Sequence, residues 1–450
     1  MPGVRLPAER ELAQALAVSR TTVLTAYANL KTDGWLESRA GSGTYVCARR
    51  AFKARESAQE LVLTNSSTLN LLQIDRSEVI DFAVGTTRPL EGLPQELFEL
   101  KPAAVKSLLT ERNYLPLGLP LLRQAIAAYY TERGAATTPE QILVTNGAQQ
   151  AIAITTALYV RRGDSVLVEN PTYFGGLDVF RILGARLAPV SVGPEHIKPR
   201  EVRDKLTATG SRLIYLTPTN QNPTGAVMPE HARLELVKVA EEFGVPLLED
   251  QCTGELAISG KTPPSLACFS GVNSTVITAG SLSKLFWAGL RVGWIRAPES
   301  VITKLARIKT ASDLCSPLMT QAIAAQLMQV MNQAKALRGT QLGESRDLLA
   351  SLLREKLPDW QFQLPQGGLF LWVRLPGCDA RRFAQLAARY GVAMTAGSLF
   401  SADDSSIEYL RLPFLLEDEA IQLGVERLAM AWGDFVSSPS LHAPRLSAIV

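Results

Sequence analysis

The densest chemistry in this 450-residue chain lies in Ser281-Leu-Ser-Lys284-Leu-Phe-Trp-Ala-Gly-Leu-Arg291-Val-Gly-Trp294, which follows the apolar run Thr275–Ala279. A lysine set among leucines, tryptophans and small residues loses water. Desolvation lowers its pKa and makes its amine a nucleophile toward a carbonyl group. Ser281, Ser283 and Arg291, close by in sequence, suit an anionic group such as phosphate. Four other apolar runs end in residues that complement such an amine. Ile142–Thr145 leads into Asn146-Gly147-Ala148, small residues that open a helix and leave backbone N–H groups free for a phosphate. Ser165–Glu169 delivers Tyr173, an aromatic ring able to stack on a planar ligand. Leu213–Thr217 leads to the side-chain amide of Asn222, and Pro246–Glu249 to the carboxylate of Asp250. A phosphate cradle, a stacking ring, an amide, a carboxylate and an amine together fit pyridoxal 5′-phosphate. Lys284 forms a Schiff base with it, and Asp250 keeps its pyridine nitrogen protonated. Asn222 bonds the ring oxygen, and Tyr173 covers the ring.

These residues need a scaffold, and the chain supplies one. From Asp81 onward, strand-like and helix-like segments alternate, which predicts an α/β domain with a mostly parallel sheet whose ligands sit at the carboxyl ends of the strands. The length favours two or three domains, and 46% apolar with 20% charged residues is ordinary for a globular protein. No apolar run is long enough to span a bilayer, and the opening Met-Pro-Gly-Val-Arg lacks a secretory pattern, so no membrane partner is expected. The cysteines, Cys47, Cys252, Cys268, Cys315 and Cys378, are scattered and never form C-x-x-C. With only three histidines, that predicts a reducing cytoplasm and no metal site.

Charge is unevenly placed. Residues 1–50 hold seven Lys/Arg against four Asp/Glu, an excess equal to the whole chain's net +3. The spacing predicts a helix from Pro7 to Leu16 with Leu12, Ala15 and Leu16 on one face. A second, capped by Ser19, runs from Arg20 to about Asp33 with Val23, Ala26, Tyr27 and Leu30 on one face. Two short strands around Gly41-Ser-Gly43 follow. Helix, turn, helix and hairpin make a winged helix-turn-helix. The string LPAERELAQALAVSRTTVLTAYANLKTDGWLESRAGSGTYV resembles the DNA-binding domain of the GntR superfamily of bacterial regulators. That resemblance implies that Arg10, Arg20, Thr21 and Thr22 meet DNA at the recognition helix, with Arg39, Gly41 and Gly43 in the wing. A complete domain of this type carries a further helix before Pro7, so the expectation is either that the start lies upstream or that the domain lacks its first helix and part of its core. The domain takes residues 1–50, a polar linker 51–80 (with a helix around Ser57–Leu63 as an option), the body 81–436 and a flexible tail 437–450.

The body resembles fold-type I, class I/II aminotransferases, with a large and a small subdomain. The resemblance implies Lys284 as the Schiff-base lysine, Asp250 as the pyridine partner, Asn222 as the ring-oxygen ligand and Tyr173 as the stacking residue. Gly147, Ala148, Ser281 and Arg291 match phosphate contacts. Tyr114, in Asn113-Tyr-Leu-Pro-Leu-Gly118, matches a tyrosine that reaches the neighbouring subunit's cofactor, which implies a homodimer. Arg411, in Tyr409-Leu-Arg-Leu-Pro413, matches the arginine that grips a substrate carboxylate. There is a departure: where the family places a tyrosine just beyond the aspartate, this chain has Cys252 and Thr253. A GntR-type domain ahead of such a body resembles the MocR subfamily of transcription regulators. That implies a regulator that binds double-stranded DNA and senses pyridoxal phosphate or an amino compound through the Schiff base. The alternative is a working aminotransferase acting on an amino acid, with a vestigial DNA-binding domain.

Overall fold

The computed structural model describes residues 4–16, 18–32, 35–39, 42–46, 79–87, 89–110, 114–193, 196–271, 275–403 and 405–437. Nearly all of the expected linker, its optional helix, the tail beyond Ser437 and Gly41 lie outside them. The N-terminal region comprises α1 (Glu9–Ala15), α2 (Arg20–Thr32) and an antiparallel hairpin of β1 (Leu36–Arg39) and β2 (Gly43–Val46). Ser19 caps α2 as the sequence predicts: its Oγ accepts the Thr22 N–H at 3.1 Å. The buried residues here are Ala13, Val23, Tyr27 and Leu36, with Leu6, Leu12, Val18 and Val46 packed around them. The predicted apolar faces are therefore only partly correct. Leu16 is 41% and Leu30 39% exposed, Ala26 is exposed and Ala15 half-buried. Two short helices and one hairpin bury a narrow stripe of each helix, and the outer half of each apolar face remains outside it.

In the body, β3 (Ile80–Phe82) and α3 (Pro102–Leu109) precede α4 (Pro120–Glu132) and β4 (Ile142–Thr145). Then come α5 (Ala148–Tyr159), β5 (Ser165–Asn170), α6 (Phe174–Ile182), β6 (Arg186–Ser191), α7 (Pro199–Thr209) and β7 (Leu213–Leu216). The chain continues through α8 (Glu230–Phe243), β8 (Leu247–Asp250), β9 (Val276–Ser281), β10 (Gly293–Arg296) and α9 (Glu299–Asp313). The remainder is α10 (Leu318–Met328), α11 (Met331–Lys356), β11 (Phe370–Arg374), α12 (Ala380–Arg389), β12 (Val392–Ala396), β13 (Tyr409–Pro413) and α13 (Asp418–Ser437).

The large sheet runs β4-β10-β9-β8-β7-β5-β6, parallel except for β10, which is antiparallel to both its neighbours. Its strands are apolar on both faces because helices cover both. Leu143, Val166, Val168, Leu213, Leu248 and Ile277 share a cluster with Ile152 of α5, Leu177 of α6 and Leu305 of α9. The alternate residues, including Val144, Leu167, Ile214 and Leu247, join Ile126 of α4 and Leu236 of α8 in the other cluster. The small sheet runs β11-β13-β12-β3. In it β3 pairs parallel with β12, Ile80 beside Val392, across more than three hundred residues of chain.

Candidate functional site

The carboxyl ends of β4, β5, β7, β8 and β9 open into one cleft of about 230 Å³. Its lining contains Ala148, Tyr173, Asn222, Asp250, Ser281, Ser283, Lys284, Arg291 and Arg411, so the structure brings these sequence-predicted residues together. Lys284 donates from Nζ to the Gly85 carbonyl at 2.6 Å, and burial lowers its pKa. Asp250 accepts the Cys252 N–H on Oδ1 and the Tyr215 hydroxyl on Oδ2, each at 2.9 Å. Burial raises its pKa while those two hydrogen bonds work against the rise.

At the start of α5, Gly147 caps the helix at φ 81°, and a Cβ there would come within 2.7 Å of the Arg291 guanidinium. Only glycine allows both that turn and that approach. Arg291 donates to the Asn146 carbonyl at 2.9 Å. Ser281 Oγ accepts the Ser283 N–H at 3.2 Å, whereas Ser283 Oγ is buried with no partner. An orphaned buried hydroxyl in a cleft that is also lined by a helix N-terminus and a guanidinium is the chemistry a phosphate satisfies, so the residues present fit that group.

At the other end, Arg411 is 2% exposed. Its Nη2 donates to the Ala83 carbonyl at 2.8 Å and Nη1 to Asn222 Oδ1 at 3.3 Å, while Nε has no partner. Its guanidinium lies over the rings of Phe370 and Phe400, at 4.0 and 4.5 Å from their centroids. Burial lowers its pKa to about 9, and no carboxylate among the described residues forms an ion pair with it.

A short strap, Ala83–Thr87, crosses the cleft and was not singled out by the sequence. Asp81 Oδ1 turns it by accepting the N–H groups of Ala83 and Val84 at 2.8 and 3.2 Å. The Ala83 carbonyl also accepts Thr395 Oγ1 at 2.9 Å, and Thr87 Oγ1 donates to the Ser283 carbonyl at 2.6 Å. Gly85 has to be small because a Cβ would meet the Phe370 ring at 2.3 Å. Sequence reasoning also missed Gln149, which lines the cleft with a buried, unpartnered Oε1. Its place in the helix-opening Asn146–Gln150 segment was the available signal.

Cys252 lines the cleft, and burial pushes its thiol up to about 12. Thr253 Oγ1 is turned to the Thr219 carbonyl at 3.3 Å. Neither supplies a phenol. Tyr114 is 68% exposed and does not line this chain's own cleft.

The profile of the class I and II aminotransferases matches residues 77–428. The chain belongs to the class I and II aminotransferase family. The profile of the gntR family of bacterial regulatory proteins matches residues 1–46 of this aminotransferase-family chain. It is 28% identical to the uncharacterized HTH-type transcriptional regulator YdfD of Bacillus subtilis, over 95% of this chain and 92% of that protein. It is 29% identical to the probable rhizopine catabolism regulatory protein MocR of Rhizobium meliloti, over 79% and 74%. Among solved structures it is similar to LysN, the α-aminoadipate aminotransferase of Thermus thermophilus complexed with N-(5′-phosphopyridoxyl)-L-leucine. That likeness has a TM-score of 0.75 and 28% identity, over 84% of this chain and 97% of that one. The cofactor of this family member is pyridoxal 5′-phosphate, and its architecture is a GntR-type helix-turn-helix followed by an aminotransferase-like body.

In the gntR-type region, Arg10, Arg20, Thr21, Thr22, Arg39 and Gly43 are all exposed. Arg20 lies 3.6 Å from Glu9, and Arg39 forms a 2.7 Å ion pair with Glu37 while stacking on Tyr45 at 4.6 Å. Gly43 adopts φ 112° beside the Arg5 side chain. No helix among the described residues is long and apolar enough to cross a membrane.

Proposed function

We propose that this chain is a DNA-binding transcription regulator whose body carries pyridoxal 5′-phosphate on Lys284 and responds to an amino compound that bears a carboxylate. The observation that carries the reading is the buried Arg411 guanidinium, with an unpartnered Nε, in the same cleft as the Lys284 amine. A guanidinium out of water with only the more distant charge of Asp81 to offset it is costly, and a carboxylate supplies the acceptors it lacks as a bidentate pair.

The cofactor supplies an aldehyde that condenses with an amine and a ring nitrogen that draws electrons when protonated. This chain's residues do the rest. Asp250 holds the proton on that nitrogen, Asn222 meets the ring oxygen and Tyr173 covers the ring face. Gly147, Ala148, Ser281, Ser283 and Arg291 hold the phosphate. Exposed Tyr114 reaches the neighbouring subunit's phosphate in a homodimer. Arg10, Arg20, Thr21 and Thr22 read base edges, while Arg39, Gly41 and Gly43 lie against phosphates of paired half-sites. Such a regulator works in the cytoplasm. The rival reading, a working aminotransferase, keeps the support of Asp250, Lys284 and Arg411 sharing one cleft. The absent phenol at Cys252 and Thr253 and the gntR match favour the regulator.

The test is DNA binding at the gene's own promoter, at fixed salt, with pyridoxal phosphate and a panel of amino acids and amines. Wild-type protein is expected to show cofactor absorbance and a ligand-dependent change in DNA affinity. Lys284→Ala is expected to lose both while keeping its ligand-independent DNA binding. Ligand dependence that survives in Lys284→Ala overturns the reading.

A further inference from the structure

Tyr215 lies within β7, where the strand Leu213–Leu216 is otherwise aliphatic and every residue is buried. Its ring has little freedom. It packs edge-on against Phe180 at 5.4 Å, and Gly176 of α6 leaves room for it, since a Cβ there would stand 3.1 Å from the ring. The fixed ring aims its hydroxyl at Asp250 Oδ2, 2.9 Å away. The phenol is fully buried beside a carboxylate, and both effects push its pKa well above the ordinary tyrosine value. It therefore remains a donor wherever the protein is folded.

We infer that Tyr215 is a positioning residue for the cofactor: its hydroxyl fixes the orientation and charge of the Asp250 carboxylate that faces the pyridine nitrogen. The inference rests on the reading of this cleft as a pyridoxal phosphate site. Asp250 feels the charge of Glu249, its strand neighbour on the opposite face, and of Lys284 from the loop after β9, Cys252 from the loop after β8, Tyr173 ahead of α6 and Glu169 on β5. Burial and the neighbouring Glu249 favour its neutral acid form, while the Cys252 N–H, the Tyr215 hydroxyl and Lys284 favour the carboxylate. Only a carboxylate can pair with a protonated pyridine ring. Of the two hydrogen bonds that hold it ionised, one is backbone and comes with the turn, and the other depends on a single side-chain atom. The chain has no tyrosine in the loop after Asp250, so its phenol acts at the aspartate, at the nitrogen end of the ring. This is a different task from that of a donor to the ring oxygen.

The discriminating variant is Tyr215→Phe, which keeps the ring packing and removes the one oxygen. Full-length wild-type and variant proteins are stripped of cofactor, compared for thermal melting, and titrated with two ligands. One is pyridoxal 5′-phosphate, and the other is its deaza analogue, in which carbon replaces the ring nitrogen. Loss of one hydrogen bond to a charged group is expected to weaken pyridoxal phosphate binding about tenfold in the variant. The deaza analogue, with no nitrogen to pair, is expected to bind both proteins equally. The acid limb of pyridoxal phosphate affinity is expected to move upward by about one pH unit in the variant, because Asp250 then takes its proton more readily. Unchanged affinity and pH profile in the variant overturn the inference. Equal weakening for both ligands also overturns it, because that is the mark of packing alone. If wild-type protein binds neither ligand, the reading of the cleft itself fails, a result distinguishable because it appears before any substitution.

Discussion

The two halves of this chain keep the cations singled out by the sequence in opposite states. In the N-terminal region Arg20 and Arg39 stand in water, each beside a carboxylate, on a core of a few buried residues. In the body Arg411 is buried and Lys284 half-buried, neither with an acid in ion-pair contact, and both donate to backbone carbonyls. Exposed arginines on short elements can follow the repeating charge of a duplex, where many weak contacts add and salt competes. A buried cation instead makes the cleft wait for one anion of the right shape. Its desolvation has already been met by the folding of the large core, so the ligand does not bear it.

The contrast can be broken from either side. Replacing Arg411 with Gln removes a buried charge, and affinity for a carboxylated amine is expected to fall on the order of several hundredfold. Cofactor absorbance is expected to persist, as equilibrium titration followed in the visible band would show. A loss of only a few-fold would mean that Arg411 is as solvated as Arg39.

The next effect is one of stability. Glu169, at the end of β5, is fully buried and raised from 4.5 to about 7 by burial, against hydrogen bonds from the Thr217 N–H and Gln221. Because its folded value is raised, its contribution is greatest at acid pH. That contribution is lost as pH climbs from about 4.5 to about 7. Glu169→Gln is expected to gain on wild type by about 3 kcal/mol between pH 4.5 and pH 8, measured by denaturant unfolding. A constant difference across that range would show that water reaches the carboxyl.

On the other side, Arg39→Ala is expected to weaken DNA binding about tenfold and to lower the salt slope by about one, without changing cofactor absorbance. A change in specificity at one base pair, with an unchanged slope, would move Arg39 from the wing's phosphates to a base edge. Smallest is Ser19→Ala, which removes the cap of α2 and is expected to cost about 1 kcal/mol of N-terminal stability. Monitoring each region's unfolding separately would show whether the body feels it.

The sequence made the strand ends legible because each apolar strand of an α/β sheet stops at a polar residue. Asn222, Asp250 and Lys284 could therefore be placed in one cleft without coordinates. What it hid has physical reasons. Tyr215 sits inside a strand that reads as plain core, and only its hydroxyl, which needs a partner when buried, hinted at a task. The pairing of β3 with β12 joins residues too distant in sequence for any local pattern to record. Leu16 and Leu30 carry a helical period that predicts burial, yet a small fold has too little surface to cover every apolar position.

The strap Ala83–Thr87 gives the cleft an exchange economy of hydrogen bonds. Lys284 Nζ and the Arg411 guanidinium are both engaged with its carbonyls. On the function proposed above, a ligand that takes the Lys284 amine would leave the Gly85 carbonyl without that donor, while the Ala83 carbonyl keeps Thr395. The strap is held at both ends, by Thr395 at the Ala83 carbonyl and by Thr87 donating to the Ser283 carbonyl. Its Ala83 end adjoins β3, and β3 is the first strand after the segment that joins the body to the gntR-type region. The shortest covalent path between the two halves thus runs through the strand next to the Ala83 carbonyl, which accepts both Arg411 and Thr395.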